Sequence, residues 1–292
     1  MTAPSDQLFD GLFDGLFDDA ALFPPGDAPM AVAVPAHREL RVRLGDLVGP
    51  FVVPAARLGE LTEHLGDGSG DDAAPFHVSL IAAAGDLPAA AARVRSSPGL
   101  TLAAVEVPLV ADAAAAREAV RVLDEVVPAD VPAAVELPRT AARDEVLDVL
   151  TGTRYRAKLR TGGVRAALFP TPRELAATLH ACVAQRVALK CTAGLHSAVR
   201  RTDPTTGCTH HGFLNVLLAV GALTTGAPPA VAAGWLGETD AGALVAALRS
   251  WPAERAARAR AVFTSFGTCS VLEPVDDLVT LGLLPSRERT PA

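Results

Sequence analysis

Lysine is almost absent from this chain of 292 residues. Of the 26 basic residues, only Lys158 and Lys190 are lysines, and all the others are arginines. Asparagine and isoleucine occur once each, as Asn215 and Ile81. A composition rich in Ala, Arg, Gly and Pro indicates a mutational bias toward certain codons, which accounts for arginine on the surface. This bias does not account for the positions of the two remaining lysines.

The chain also lacks the features of nucleic-acid-binding and membrane proteins. Its formal net charge is −7 and it has no basic run, whereas nucleic-acid binding needs clustered cations that displace counterions. No uninterrupted apolar segment reaches the roughly 20 residues that a membrane helix requires. We therefore expect no nucleic-acid partner and no membrane partner.

Cysteine is scarce, and the N-terminus has no targeting pattern. The four cysteines show neither a C-x-x-C spacing nor the density of a disulfide framework, which favours a cytoplasmic protein. The N-terminal repeat LFDG-LFDG-LFDD carries acids within its apolar part and follows no basic region, so it is not a signal peptide. We interpret residues 1–18 as a flexible tail. DDAALFPPG (18–26) is expected to begin the first strand, with a structural role for Asp18 and Asp19.

The sequence does contain a regular alternation of short apolar runs with alanine-rich helical stretches. The runs are ALF (21–23), FVVP (51–54), FHVSLIA (76–82), LTLAAVEV (100–107), PAAVEL (132–137), YRAKLR (155–160), VALK (187–190) and AVFTSF (261–266). Strands that alternate with crossover helices predict a (β/α)8 TIM-type barrel, with a doubly wound open sheet as the alternative. We expect one domain over residues 19–285. It includes a helical insertion at about 197–260, between the last two strands, and a C-terminal tail, 286–292, follows it.

Charged residues alternate with apolar residues in four consecutive strand candidates. Strand side chains alternate between faces, and the apolar face of a barrel strand meets the helix layer. The charges are therefore expected inside the barrel, near the strand ends where barrel active sites are built. Unpaired buried charges cost several kcal/mol each, so the set is either a structural ion-pair network or a ligand site. The residues are Glu106, Glu136, Lys158 with Arg160, and Lys190.

Lysine has one chemical ability that arginine lacks, because a buried lysine can lose its proton. A lysine whose pKa is lowered by desolvation and by a neighbouring cation becomes a nucleophile that forms a Schiff base. Lys158 and Lys190 lie on adjacent predicted strands, so we expect each to lower the pKa of the other. We predict catalytic roles for both, with Glu106 and Glu136 as proton shuttles. Arg160 is predicted to hold a carboxylate or phosphate.

Three short motifs follow one another in the second half of the chain. They are K-L-R-T-G-G (158–163), K-C-T-A-G (190–194) and F-G-T-C-S (266–270). Their order resembles class I (Schiff-base) aldolases of the deoxyribose-phosphate aldolase type, which are barrels. The resemblance implies that Lys158 forms the imine and that Lys190 tunes it. It also implies that Gly267, Thr268 and Ser270 bind the phosphate side of a substrate.

As a whole, the sequence also resembles a group of actinobacterial proteins of similar length. The shared segments are D-D-A-A-L-F-P-P, T-A-G-L-H and H-G-F-L-N-V-L. This second resemblance implies no activity.

Turn residues after each lysine are candidate substrate contacts. Thr161, Gly162 and Gly163 follow the first lysine, and Thr192 and Gly194 follow the second. Small residues there would let the backbone approach an anion, although a glycine pair at a strand end is also typical of a simple turn.

Histidines cluster in the long loop before the last predicted strand. His196 is predicted as a catalytic acid or base, and His211 and Asn215 as substrate contacts from a lid. The alternative is that the loop histidines cap the following helix. The spacing of His196, His210 and His211 does not match a zinc site, so we expect no metal.

The leading functional prediction is an aldolase-like lyase. It would act on a small anionic carbonyl compound through a lysine Schiff base, without a cofactor. One alternative is enolisation assisted by a divalent metal ion bound to Glu106 and Glu136. Another is a non-catalytic barrel that binds a small anion. The sequence leaves open whether the protein is a homo-oligomer.

Overall fold

The computed structural model describes residues 11–65 and 74–285. Eight parallel strands close into a barrel in the order β1-β10-β7-β6-β5-β4-β3-β2, and helices alternate with them, which confirms the predicted (β/α)8 fold. The strands are β1 (Phe17–Asp19), β2 (Val48–Pro54), β3 (Phe76–Ile81), β4 (Leu100–Val107), β5 (Ala133–Glu136), β6 (Arg156–Arg160), β7 (Leu189–Thr192), β8 (Arg201–Thr202), β9 (Thr209–His210) and β10 (Phe263–Thr268). Strands β8 and β9 lie outside the barrel, as an antiparallel pair in the long loop.

Some of the helices begin where the sequence supplies a side-chain capping group. Asp112 caps α4, and Thr171 forms a capping box with Glu174 at the start of α6. The helices are α1 (Met30–Leu44), α2 (Leu58–Leu65), α3 (Leu87–Ser96), α4 (Ala113–Val126), α5 (Ala142–Leu150), α6 (Pro172–Ala184), α7 (Phe213–Leu223), α8 (Pro229–Gly237), α9 (Ala241–Arg249), α10 (Ala253–Val262) and α11 (Leu272–Thr280). Within the part of the chain that the structure describes, no helix has the length and apolar character needed to span a membrane.

The first strand is not where the sequence predicted it. The prediction was ALF (21–23), but β1 is Phe17–Asp19 and pairs with both β10 and β2. The expected tail is also wrong for residues 11–18, because Leu12, Phe13, Leu16 and Phe17 are all buried. The Phe17 ring packs edge-on against the rings of Phe213 and Phe266. The apolar residues of the repeat from Leu12 onward therefore lie in the core, while residues 1–10 and the predicted tail 286–292 lie outside the described residues.

Four helices lie between β7 and β10, where the sequence predicted an insertion over one rim. Helix α7 is buried at every residue and contacts α6, α8, α9 and α10. Its Phe213 ring stacks on Phe266 of β10, at a centroid distance of 5.3 Å. Helix α7 is therefore part of the layer that surrounds the barrel. The insertion over a rim stays a prediction.

Candidate active site in the barrel mouth

Charged side chains line the interior of the barrel. Along each strand, side chains point alternately toward the helices and toward the interior. Val105, Val135 and Leu189 are buried on the side of the helices. Their neighbours point inward and are also buried, although they are ionisable: Asp18, Glu106, Glu136, Lys158 and Lys190 are 2–4% exposed. Most (β/α)8 barrels fill this space with branched aliphatic side chains. The interior of this one is polar.

The interior charges form one continuous chain of ion pairs. The Lys190 amine lies 2.6 Å from Asp18 Oδ2 and 2.5 Å from Glu106 Oε1. The other oxygen of Glu106 lies 2.7 Å from the Lys158 amine, which is 3.2 Å from Glu136 Oε2. Arg160 Nε donates to Glu136 Oε1 at 3.1 Å. Three carboxylates therefore alternate with three cations.

Strand register explains why these side chains meet. Lys158 is the Cα partner of Glu136 on one side and of Lys190 on the other. Two hydroxyl groups complete the network, since Ser79 donates to Glu106 at 3.0 Å and Ser265 donates to Asp18 at 2.9 Å. The four charged residues predicted to be catalytic on β4 to β7 are thus brought together by the fold.

The expectation that the lysines lower each other's pKa is wrong for Lys190. The Glu106 carboxylate lies between the two amines and contacts both. Burial lowers the pKa of Lys190, but the attraction of Asp18 and Glu106 outweighs it and raises that pKa above its ordinary value. Burial raises the pKa of Glu106, but Lys190 and Lys158 hold it well below its usual range. Lys190 and Glu106 are therefore both ionised at neutral pH.

A cavity of about 310 Å³ opens at the C-terminal ends of the strands. It is lined by Ala20, Phe23, Pro24, Val52, Ile81, Glu106, Pro108, Glu136, Lys158, Arg160, Gly163, Val164, Leu168, Thr192, Ala193, His196, Gly267 and Cys269. We call it the mouth cavity. Lys190 does not line it but lines a smaller cavity of about 110 Å³, together with Asp18, Arg156 and Ser265. The two lysines are thus neighbours in the barrel and differ in what they face.

Several predicted substrate contacts face away from the mouth cavity. His211 is fully buried and bonds through Nε2 to the Pro170 carbonyl at 2.8 Å. The Asn215 amide donates to the carbonyls of Trp235 and Glu238, and its oxygen accepts from the backbone N–H of Arg200. Both side chains join α7 to the segments around it. The structure therefore does not bring them to the site.

Some of the predicted turn residues line a cavity, and the others bond to or pack against the protein's own backbone. Gly163, Thr192 and Gly267 line the mouth cavity, and Gly194 lines the adjoining cavity described below. The Thr161 hydroxyl donates to the Ala193 carbonyl. Gly162 is needed for close packing, because a Cβ there would lie 2.8 Å from the Gly194 Cα. The Thr268 hydroxyl donates to the Ser270 carbonyl, and neither residue lines the cavity.

His196 lies at the rim of the mouth cavity, beside Cys269. The two side chains are 3.4 Å apart, between Nδ1 and Sγ. Burial, His210 and Arg201 lower the pKa of His196 to about 4, so this imidazole is neutral at pH 7. Both residues also line the adjoining cavity, of about 410 Å³, which extends beneath the β8–β9 pair. A neutral imidazole there can accept a hydrogen bond from a substrate hydroxyl.

The interior role of Asp18 was not predicted from the sequence. Asp18 was expected to have a structural role at the start of a strand, because the first strand was expected at 21–23. The pattern FDD, with an acid between two residues that face outward, was the available signal. In the structure Asp18 holds Lys190.

Comparison with family models, with curated proteins and with solved structures gave no match to this chain. Among the residues that the structure describes, no group of three or more His, Cys, Asp or Glu side chains is arranged to hold a metal ion. The site has therefore to be interpreted from its own geometry.

Proposed function

We propose that this protein is an aldolase-like lyase that acts on a small anionic carbonyl compound through a Schiff base at Lys158. The observation that carries this proposal is the position of Lys158, which is the one lysine in the mouth cavity within the described residues. Its amine lies between the carboxylates of Glu106 and Glu136, at 2.7 and 3.2 Å. An amine nucleophile with a proton acceptor within hydrogen-bond reach is the arrangement that imine formation needs.

The reaction begins with transfer of the Lys158 proton to Glu136, whose carboxylate lies between Lys158 and Arg160. The neutral amine attacks the substrate carbonyl carbon, and the carbonyl oxygen takes up protons and leaves as water, which gives a protonated imine. A base removes the proton of the β-hydroxyl group, and His196 is the neutral candidate at the rim. The carbon–carbon bond then breaks, an aldehyde departs, and its bonding electron pair forms an enamine. Protonation at carbon and hydrolysis release the second product and free Lys158.

Glu106 and Lys190 have supporting roles in this proposal. Glu106 stays ionised because two ammonium groups lower its pKa, so it stabilises the positive charge of the protonated imine. Lys190 acts as a positioning residue, because it fixes one oxygen of Glu106 while the other contacts Lys158. Its cationic charge at neutral pH fits that role and does not fit a nucleophile.

Borohydride trapping tests the proposal directly. The protein is incubated with small aldehydes, ketones and keto acids, reduced, and digested for mass spectrometry. Only Lys158, Lys190 and an N-terminal amine can carry an adduct, because the chain has no other lysine. We expect a secondary-amine adduct on Lys158, and no adduct in the Lys158→Arg variant. The matched control, Lys190→Arg, keeps the charge and should still be labelled at Lys158.

Two results would contradict the proposal. An adduct on Lys190 with none on Lys158 would reverse the assignment. Absence of an adduct across the panel, with reversible binding of the same anions, would indicate a non-catalytic barrel.

A further inference from the structure

The wall of the mouth cavity has two chemically different sides. The strand order keeps β2, β3 and β4 together on one side and β5, β6 and β7 together on the other. The first side, with the segment after β1, contributes one carboxylate, Glu106, and otherwise apolar groups: Ala20, Phe23, Pro24, Val52, Ile81 and Pro108. The second contributes most of the polar groups, Glu136, Lys158, Arg160, Thr192 and His196, together with the apolar residues Val164, Leu168 and Ala193 nearer the rim. A ligand that fits both sides has a polar end and an apolar end.

Arg160 is placed to bind an anion next to Lys158. Lys158 and Arg160 are two positions apart on β6, so their side chains lie on the same face of the strand. Their Cα atoms are about 6.6 Å apart along the strand. Arg160 engages Glu136 through Nε, and its side chain is 38% exposed. Within the described residues, its guanidinium group has no other hydrogen-bond or ion-pair partner. A guanidinium edge binds a carboxylate through two parallel hydrogen bonds.

Thr192 adds a hydroxyl donor beside that guanidinium group. It is the Cα partner of Arg160 in the neighbouring strand and lines the same cavity. Arginine and threonine together therefore form a small anion site. The site lies one inward-facing position further toward the open end of the barrel than the Lys158 amine.

The charge of the cavity favours a single carboxylate over a phosphate. The cations that line it, Lys158 and Arg160, are balanced by Glu106 and Glu136. His196 adds no charge at neutral pH, since burial lowers its pKa to about 4. A phosphate dianion would therefore meet no surplus of positive charge.

We propose that the carbonyl substrate is a 2-oxo acid with an apolar substituent. Its carboxylate binds Arg160 and Thr192, its C2 carbonyl carbon meets the Lys158 amine, and its substituent lies against the apolar side. In a 2-oxo acid the carboxylate is bonded directly to the carbonyl carbon. The carboxylate can therefore bind Arg160 while the carbonyl carbon meets Lys158, two positions earlier on the same strand. The covalent step is the imine formation given above, in which the nitrogen–carbon bond forms and the ketone oxygen leaves as water. This inference rests on the proposed Schiff base at Lys158.

The test compares four probes at equal concentration, each trapped with borohydride on the full-length protein. The probes are 4-methyl-2-oxopentanoate, pyruvate, the uncharged ketone 4-methylpentan-2-one, and glyceraldehyde 3-phosphate. We expect 4-methyl-2-oxopentanoate to label Lys158 at least about tenfold more efficiently than the ketone, because a charge-assisted hydrogen bond contributes that much or more. It should also exceed pyruvate several-fold, because pyruvate lacks the apolar branch.

Two variants separate the two parts of the inference. In Arg160→Gln, the advantage of the 2-oxo acid over the uncharged ketone should disappear, so the ratio of their labelling efficiencies should fall to about one. In Val52→Thr, which replaces a methyl group by a hydroxyl group, the ratio of 4-methyl-2-oxopentanoate labelling to pyruvate labelling should fall. A general structural defect would instead lower all probes together.

The outcomes distinguish this inference from the proposed function. If glyceraldehyde 3-phosphate labels Lys158 best, the substrate class is wrong and the imine chemistry stands. If Arg160→Gln leaves the ratio of 2-oxo acid to ketone unchanged, the carboxylate site is wrong. If pyruvate and the branched probe label equally, the apolar side plays no part in recognition. If no probe labels Lys158, the proposed function itself fails.

Discussion

Lys158 and Lys190 are buried to nearly the same degree, face the same interior and are Cα partners on neighbouring strands, yet their surroundings differ. Lys190 contacts Asp18 and Glu106 and lies below the mouth cavity. Lys158 contacts Glu106 and Glu136 and lines the mouth cavity. Burial and charge pairing are thus common to both lysines, and access to the cavity distinguishes them. Lys190 therefore has a structural role, and by our proposal Lys158 is the nucleophile.

The largest expected effect comes from removing the charge of each lysine. Lys190→Met leaves Asp18 without its ammonium partner, and breaking a buried ion pair on one side costs about 3–5 kcal/mol. We therefore expect the free energy of unfolding, measured by urea denaturation, to fall by that amount. Lys158→Met is the matched control and should cost less, because Glu106 keeps Lys190 and water from the mouth cavity can reach the gap. Equal losses in the two variants would contradict the division of roles.

A second pair of substitutions should separate stability from chemistry. Asp18→Asn preserves shape and removes one carboxylate from Lys190, so the free energy of unfolding should fall by about 1–3 kcal/mol. Labelling of Lys158 should persist, because Glu106 and Glu136 are untouched. Glu136→Gln should instead slow imine formation by about 10²–10⁴-fold, the usual contribution of a positioned acid or base.

The measurements for this pair are urea unfolding and the rate of borohydride-trapped adduct formation. If the Glu136→Gln protein is labelled at the rate of the unsubstituted protein, Glu136 is not the proton acceptor for Lys158. If the Asp18→Asn protein remains folded but is no longer labelled, the proposed division of roles between the two lysines is wrong.

Much of the fold and part of the site could be predicted from alternation alone. In β6 the charged residues occupy every second position, and in β4 Glu106 stands between two valines, so the charged face points into the barrel. That reasoning placed Glu106, Glu136, Lys158 and Lys190 in the interior without any knowledge of their partners.

The pairing itself could not be predicted, because it depends on contacts that are distant in the chain. Lys190 and Asp18 are 172 positions apart. Strand β1 has only three residues and two of them are acids, so intrinsic preference pointed instead to the apolar run at 21–23. The rarity of Asn215 suggested a substrate contact, but its amide joins α7 to the backbone around α8. For Asn215, scarcity gave no information about its contacts.

The last expected effect, which develops only below about pH 6.5, concerns His211, a buried histidine behind the site. Burial and Arg200 lower its pKa to about 4, against about 6.5 in the unfolded chain. Between these values the unfolded chain binds more protons than the folded chain. The stability that this group contributes is therefore complete above about pH 6.5 and is lost as the pH falls toward 4. The slope is at most about 1.4 kcal/mol per pH unit.

Urea denaturation from pH 7 to pH 4 measures that slope. We expect His211→Gln to flatten it, whereas His64→Gln, at an exposed position on α2, should leave it unchanged. The labelling of Lys158 at pH 7 should be the same in both variants, because neither residue lines the mouth cavity. If the His211→Gln protein kept normal stability but lost labelling, His211 would contribute to the reaction at Lys158. The active site would then extend beyond the residues that line the mouth cavity.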